Sequence, residues 1–425
     1  MSPPTIQVLS KGDFTQQHIV PLPGAEPLPP LSPSSVRVKT YIFSLTVNNI
    51  TYAKLGHMLG WWDVHPLPPS IPEQFQDPAK YGRISAWGFG FVEGSNRDDL
   101  PIGSLLYGYL PIGTLPVDLA LSPITSAAGH FHEISPAREK QFPVYNEYLA
   151  FPPAQASLLS DERLGWDALL RIPFSVSHSL NRHVFAWDEA NLAPPSTFSV
   201  GPSPLPPWTM DQADMTDAVV IILAASGKNA VAFARQLKFV RPAESQPREV
   251  IAVTSQASKA FVEATGFYDA VCLYDDIGSE ATPDAFSNNL GKDSKVIVCD
   301  FGARGSAFMV LVRWLKPLVR TVLPIGIGSE PTLATPEQVR EGLVANMAAG
   351  RIQVNASDIF AEAAKKVGRK EFEEEFSKSW AEFVDAGEVR GLKLEVGQGM
   401  DAVAKGWDRL CAGDVGPETG LVFKI

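Results

Sequence analysis

The chain has 425 residues, 45% of them apolar and 20% charged, which suits two or three domains with a core in each. Its formal net charge of −11 argues against nucleic acid or an anionic membrane as the main partner. Three cysteines (Cys272, Cys299 and Cys411) are too few and too scattered for a disulfide framework, and no apolar run approaches the roughly 18 residues of a membrane span. The expectation is a soluble, cytoplasmic protein that acts on a small molecule.

In chain order, "PLPGAEPLPPLSPSS" (21–35) reads as a loop, because proline lacks the N–H that sheets and helices use. Short alternating segments follow, among them "VRVKTYIFSL" and "GSLLYGYLP", which predict strands separated by Gly and Pro turns. A second proline-rich linker, "APPSTFSVGPSPLPPW", covers 193–208. From about residue 217 the texture changes to strand alternating with helix. "AVVIILAA", "EVIAVTS", "DAVCLY", "KVIVCD" and "TVLPIGI" read as parallel strands buried on both faces, with helices such as "QASKAFVEAT" and "GSAFMVLVRWL" between them. The remainder carries apolar residues at helical spacing and closes with a strand, "GLVFKI". The fold class is α/β, with a β-rich lobe (1–165), a doubly wound nucleotide-binding lobe (166–330) and a helical segment (331–425).

The stretch "VVIILAASGKNAVAFA" (219–234) has the strand, turn and helix of a phosphate-binding unit with one glycine in place of three. The small residues Ala224, Gly227 and Ala230 stand three apart; Ser226 offers a hydroxyl and Lys228 a charge. Close packing of strand on helix would ask for the same small residues. At the end of the second strand, "VTSQASK" has no carboxylate for a ribose, whereas Thr254, Ser255 and Lys259 suit a 2′-phosphate. That favours NADPH as cofactor; a polar helix cap with Lys259 on a solvated face is the alternative.

Together "LAASGKNA", "VTSQASK", "YDDI", "VCDFGARG" and "PIGIG" resemble the medium-chain dehydrogenase/reductase superfamily, nearest in style to its zinc-free quinone and enoyl reductases. More specifically, "NNITYAKLGHMLGWWDVHP", "AWGFGFVEGS", "LLYGYLP" and "FPVYNEY" resemble the family known as domain of unknown function 2855, from about residue 36 onward. The turn departs from that family's usual two-serine form at Gly227 and Asn229. The superfamily resemblance implies a GroES-like lobe and a Rossmann lobe with a cleft between them, and a terminal strand that returns to the first lobe. It also implies that Tyr274 approaches the adenine, that Phe301, Gly302 and Gly326 border the nicotinamide, and that a homodimer is possible.

The chemistry is bounded by what the first lobe offers. It has no cysteine, and His130-Phe131-His132 is its one paired histidine spacing, so no metal site is expected. Without a metal, reduction of an activated alkene needs donors for an enolate oxygen and an acid for the α-carbon. The resemblance to zinc-free reductases implies that Asn48, Asn49 and Tyr52 are polar cleft residues: Asn48 or Asn49 would donate to a carbonyl or orient the ribose, and Tyr52 would be the acid; a cap and an aromatic packed under tryptophans are the structural alternatives. Tyr107, Tyr109, Tyr145 and Tyr148 come second, and Trp61, Trp62 and Trp87 suit a flat apolar pocket. The expected function is an NADPH-dependent, zinc-independent reductase of an alkene or carbonyl. A non-redox lyase, isomerase or hydrolase of specialised metabolism stays open, and a catalytically silent interaction protein is disfavoured because polar and aromatic residues concentrate in the strand-turn motifs.

Overall fold

The structure is a computed structural model that describes residues 3–25, 27–196, 207–277, 286, 290–328, 330, 336–348, 350–387 and 389–425. Two compact units emerge, one from Met1–Ile172 with Lys393–Ile425, the other from Pro173–Glu330 with Glu337–Leu392. The helical residues that follow 336 therefore group with the second unit up to Leu392, and only the last stretch belongs to the first. Residues 197–206 of the second proline-rich stretch lie outside the described residues.

The first unit contains strands β1 (Thr5–Ser10), β2 (Gln17–Pro21), β3 (Ser35–Leu45), β4 (Tyr81–Gly82), β5 (Ser85–Ser95), β6 (Leu105–Pro111), β7 (Val117–Pro123), β8 (His130–Glu133) and β9 (Glu147–Phe151). The second has β10 (Val219–Leu223), β11 (Glu249–Thr254), β12 (Ala270–Leu273), β13 (Lys295–Asp300), β14 (Thr321–Gly326) and β15 (Ile352–Gln353). The chain then returns to the first unit with β16 (Lys393–Gln398) and β17 (Thr419–Lys424).

In the first unit eight strands run in the order β16-β17-β3-β5-β6-β9-β8-β7, and an additional β3–β7 pairing joins one end of the series back to its interior. The terminal strand reads antiparallel to β3, with Leu421 opposite Leu45 and Phe423 opposite Phe43. Its side chains enter a core that also holds Phe43, Phe89 and the fully buried Trp407. Closing an antiparallel sheet in this way leaves few bare edges. Helix α1 (Val47–Leu59) follows β3 directly. Thr46 caps it, its hydroxyl accepting from the Asn48 N–H, and Asn49 completes a capping box.

In the second unit six parallel strands run β12-β11-β10-β13-β14-β15. All five residues of β10 are buried, as two-sided packing of a central parallel strand requires. Numbered within the unit, this order is 3-2-1-4-5-6, which reverses between β10 and β13. A crevice outside the strand ends at such a reversal is where doubly wound sheets take ligands. Among the described residues, no helix is long and apolar enough to cross a membrane.

Candidate functional site

In the second unit, β10 runs into Ala224, which takes a left-handed φ of 55°, a strained value for a residue with a Cβ that marks a tight turn. The chain then reaches Gly227, the N-cap of helix α2 (Lys228–Arg235). The first intrahelical bond here is Val231 N–H to the Gly227 carbonyl at 2.9 Å, so the helix begins at this glycine. A Cβ added at Gly227 would stand 3.3 Å from the Ala224 carbonyl and meet nothing else within 4 Å. The helix start thus opens at a glycine with room beside it, which suits an oxyanion, while within the turn itself the Ala225 N–H bonds the Val253 carbonyl (3.3 Å) and the Gly227 N–H the Ala224 carbonyl (3.0 Å). Ser226 and Lys228 are half-buried beside it.

Neighbouring strand ends differ in what they offer. Ser255 is half-buried and its hydroxyl lies 3.2 Å from that of Ser258. Lys259 opens helix α3 (Lys259–Thr265) and sits 3.7 Å from Glu263 in an exposed i,i+4 pair, weak enough to yield to a phosphate. Thr254 is only 1% exposed and is closed off, so it is set aside as a phosphate ligand. Tyr274 does not lie free for an adenine: its hydroxyl accepts the Ala224 N–H at 2.9 Å, and burial pushes its pKa up to about 12. With the Ala225 and Gly227 N–H groups bonded to backbone carbonyls, three amides that a turn of this kind would present to phosphate are used within the chain.

The ends of β13 and β14 hold a feature that sequence reasoning missed. Asp300 accepts from the N–H groups of Gly302 (2.9 Å) and Ala303 (2.7 Å) through Oδ1, and pairs through Oδ2 with Arg351 at 3.1 Å. Arg351 also donates to the Gly328 carbonyl at 3.0 Å and lies over the Phe308 ring. Its guanidinium rests on Gly326, where any side chain would collide with it. The Gly326 position, expected to border a nicotinamide, is therefore covered by a buried ion pair. Phe301 is half-buried and packs near Phe233 with ring centroids 5.9 Å apart. Nothing in the local sequence around Gly326 announces Arg351, which arrives from a loop 25 residues downstream.

The first unit holds an aromatic cluster. Tyr52, on α1, packs against Trp61 (centroids 4.8 Å apart), Tyr109 (5.2 Å) and Tyr145 (5.8 Å). Trp87 adds contacts to Tyr107, Tyr109 and Tyr145 and donates its Nε1–H to the Tyr52 hydroxyl at 3.0 Å. Burial pushes the Tyr52 pKa up to about 12, partly offset by hydrogen bonding with Trp87 and Tyr145. The phenol is thus neutral at ordinary pH, and a phenolate formed there would keep an N–H donor. The Tyr107 hydroxyl is buried with no hydrogen-bond partner among the described residues, and burial raises its pKa too.

The two asparagines part company. Asn49 is buried and spends both ends of its amide on structure: Oδ1 accepts the Thr46 N–H at 2.8 Å and Nδ2 donates to the Ser85 carbonyl at 3.1 Å. It is a capping residue, which corrects its expected role as a donor to substrate. Asn48 is half-buried and its side chain carries no such ties among the described residues. Tyr148 is also structural, donating to the Tyr109 carbonyl at 2.9 Å and accepting from Arg138 at 3.1 Å.

Comparison with solved structures places the fold. Across 99% of this chain and 98% of its own, CurA in complex with NADPH from Vibrio vulnificus superposes with a TM-score of 0.53 at 10% identity. A mutant form of enoyl thioester reductase from Candida tropicalis matches over 100% of both chains, with a TM-score of 0.53 and 11% identity. The CurF ER cyclopropanase from the curacin A biosynthetic pathway matches over 99% of both, at 0.51 and 13%. At such identities the likeness is one of fold alone, a GroES-like lobe and a Rossmann lobe. No curated protein matches the sequence. The family model described as "Protein of unknown function (DUF2855)" matches residues 43–416, most of the chain and both of its units, and the protein belongs to that family.

Proposed function

We propose that this protein is an NADPH-dependent, zinc-independent reductase of an activated alkene or carbonyl in a small apolar or natural-product-like substrate. The observation that carries the reading is the helix start at Gly227, open beside the glycine and placed at the point where the sheet order reverses. It stands on a fold shared with CurA, which has been solved with NADPH. Ser226, Gly227 and Lys228 would hold the pyrophosphate; Ser255 and Lys259 would hold the 2′-phosphate. Bound there, NADPH would supply a hydride. The chain's own contribution is a proton: Tyr52, neutral and backed by the Trp87 N–H, is the acid for the substrate carbon or oxygen that gains negative charge. Asn48 is the remaining donor on α1 for the carbonyl. The rings around Tyr52 supply an apolar wall.

A second reading, a non-redox enzyme of specialised metabolism, draws on two observations. Tyr274 occupies the Ala224 amide, and Arg351 covers Gly326. Both reduce what the second unit offers a dinucleotide. Titration with NADPH and NADH, followed by nicotinamide fluorescence, separates the two. The reductase reading expects saturable binding with NADPH tighter, then loss of NADPH absorbance with one of a panel of enones, quinones and aldehydes. Absence of binding by either nucleotide would leave the non-redox reading in possession.

A further inference from the structure

Two arginines lie at the same depth in the first unit, Arg83 3% and Arg138 2% exposed. Arg138 is fully engaged. It donates to the Tyr145 carbonyl (3.1 Å), the Tyr148 hydroxyl (3.1 Å) and His65 Nε2 (3.0 Å), and faces the Glu133 carboxylate at 3.9 Å. Arg83, just after β4, has nothing comparable: its Nε and Nη2 are buried and make no hydrogen bond among the described residues. Burial alone pulls its pKa down to about 10, with no carboxylate near enough to oppose it, so it stays charged at neutral pH. An unpaired buried charge is among the costliest things a core can hold.

The two bare nitrogens matter by their placement. Nε and Nη2 share one edge of the guanidinium plane, and their N–H bonds point the same way. That edge accepts two oxygens of one planar group. The same chain shows the pairing twice. Arg37 offers Nε and Nη2 to Asp118 at 2.7 and 2.8 Å, and Arg97 offers them to Asp99 at 2.9 and 2.7 Å. At Arg83 the same edge meets no carboxylate among the described residues.

We propose that Arg83 binds a carboxylate that comes from outside the chain, as part of an apolar substrate. A carboxylate neutralises one guanidinium one to one, whereas a phosphate dianion would leave a net charge in the same apolar surroundings. The neighbourhood agrees: His65, whose ring is held neutral by burial and by the charges of Arg138 and Arg83, bonds to the backbone of Tyr109, and the Tyr109 ring packs on Tyr52. The inference rests on the reading of the first unit as the substrate-binding part. It narrows the substrate to one with a free acid group.

The test is thermal unfolding of the full-length protein in sodium benzoate and sodium crotonate at ionic strength matched with sodium chloride. Benzamide and crotonamide are the uncharged controls, and inorganic phosphate is the other oxyanion. Both carboxylates should raise the midpoint in a dose-dependent way, and the amides and phosphate should not. Arg83→Met keeps the volume without the charge. It should abolish the carboxylate shift and, unliganded, unfold no lower than the wild type. Arg83→Lys keeps a charge and loses the two-pronged edge, so the benzoate dissociation constant should rise roughly tenfold or more. The proposal falls if the wild type shows no carboxylate shift, if phosphate alone stabilises, or if the shift survives in Arg83→Met. A marked drop in the unliganded midpoint of Arg83→Met would also overturn it, by showing that the guanidinium holds the fold. NADPH binding is read separately on the same samples, so failure of the cofactor reading and failure of this one are distinguishable.

Discussion

Tyr52 combines three properties that a proton donor needs: burial, neutrality at working pH and a standing N–H donor at its oxygen. The Trp87 contact also sets the consequence of removing it. Tyr52→Phe keeps the ring packing but leaves the Trp87 Nε1–H without its acceptor, at a cost of about 1–3 kcal/mol in stability. Turnover should fall by the roughly 10²–10⁴-fold typical of a lost general acid. Chemical denaturation and steady-state kinetics on one preparation check both, and a destabilised variant with full turnover would confine Tyr52 to the core. At this scale the sequence was half legible. "NNITYA" allowed a cap or a chemical role for its polar residues, and the structure shows the cap, at Asn49. Which asparagine caps was not readable, because the choice depends on the Ser85 carbonyl, 36 residues away. Arg83 and Arg351 were invisible for a similar reason: what distinguishes them is which partners they meet, and partners are a property of the fold.

Strands and helices were more legible than residues. "VVIIL" is apolar at every position because β10 lies between two other strands with both faces covered, and that pattern survives without any tertiary information. The turn that follows is the element to test for cofactor binding. Gly227 has φ −66° and ψ 144°, values open to any residue, so Gly227→Val should fold with a loss below about 1 kcal/mol. Its branched side chain would fill the open face and abolish nucleotide binding. Lys259→Ala should weaken NADPH more than NADH, by roughly tenfold, since only NADPH brings the 2′-phosphate. Equal losses in fluorescence titrations would return Lys259 to its pairing with Glu263.

A second element carries a pH signature. His178 lies on the helix Asp161–Ser179, among Phe174, Phe376 and His183, and is 4% exposed. Burial, then the charges of His183 and Arg182, lower its pKa from 6.5 to about 3. The unfolded chain therefore takes up a proton as the pH falls below 6.5, while the folded chain does not. The stability that the neutral ring allows is complete above pH 6.5 and is lost as the pH falls toward 3, at up to about 1.4 kcal/mol per pH unit. His178→Phe removes the titration and keeps the aromatic packing. Urea denaturation at pH 7, 6 and 5 should show a flatter dependence in the variant, and equal slopes would place the acid sensitivity elsewhere.

At the scale of the whole molecule, alternation of strand and helix announced the parallel sheet, but the division of the C-terminal third was beyond periodicity. Helices Ala356–Val367, Arg369–Asp385 and Gly399–Ala412 all carry an apolar face at helical spacing, and nothing in such a pattern says which core the face will meet. The first two belong to the second unit and the last to the first. The consequence is an asymmetry between the units. The first is built from both ends of the chain: β17 lies between β16 and β3, and Trp407, fully buried, donates to the Phe14 carbonyl at 2.9 Å. The second lies between them in sequence. A chain that stops at Leu392 loses β16, β17 and Trp407, and the loss of that indole alone costs about 3–5 kcal/mol. Its first unit should therefore unfold. The fragment 173–392 should fold alone, since its sheet is complete and its first residue, Pro173, is well suited to the first turn of a helix. Circular dichroism and denaturant unfolding should show one cooperative transition for the fragment. If the Ala224–Lys228 turn is the nucleotide site, the fragment should also retain saturable NADPH binding, lost again in its Gly227→Val form. A fragment that folds and binds no nucleotide would show that the turn alone does not make the site; a fragment that fails to fold would show that the second unit depends on the first for its stability.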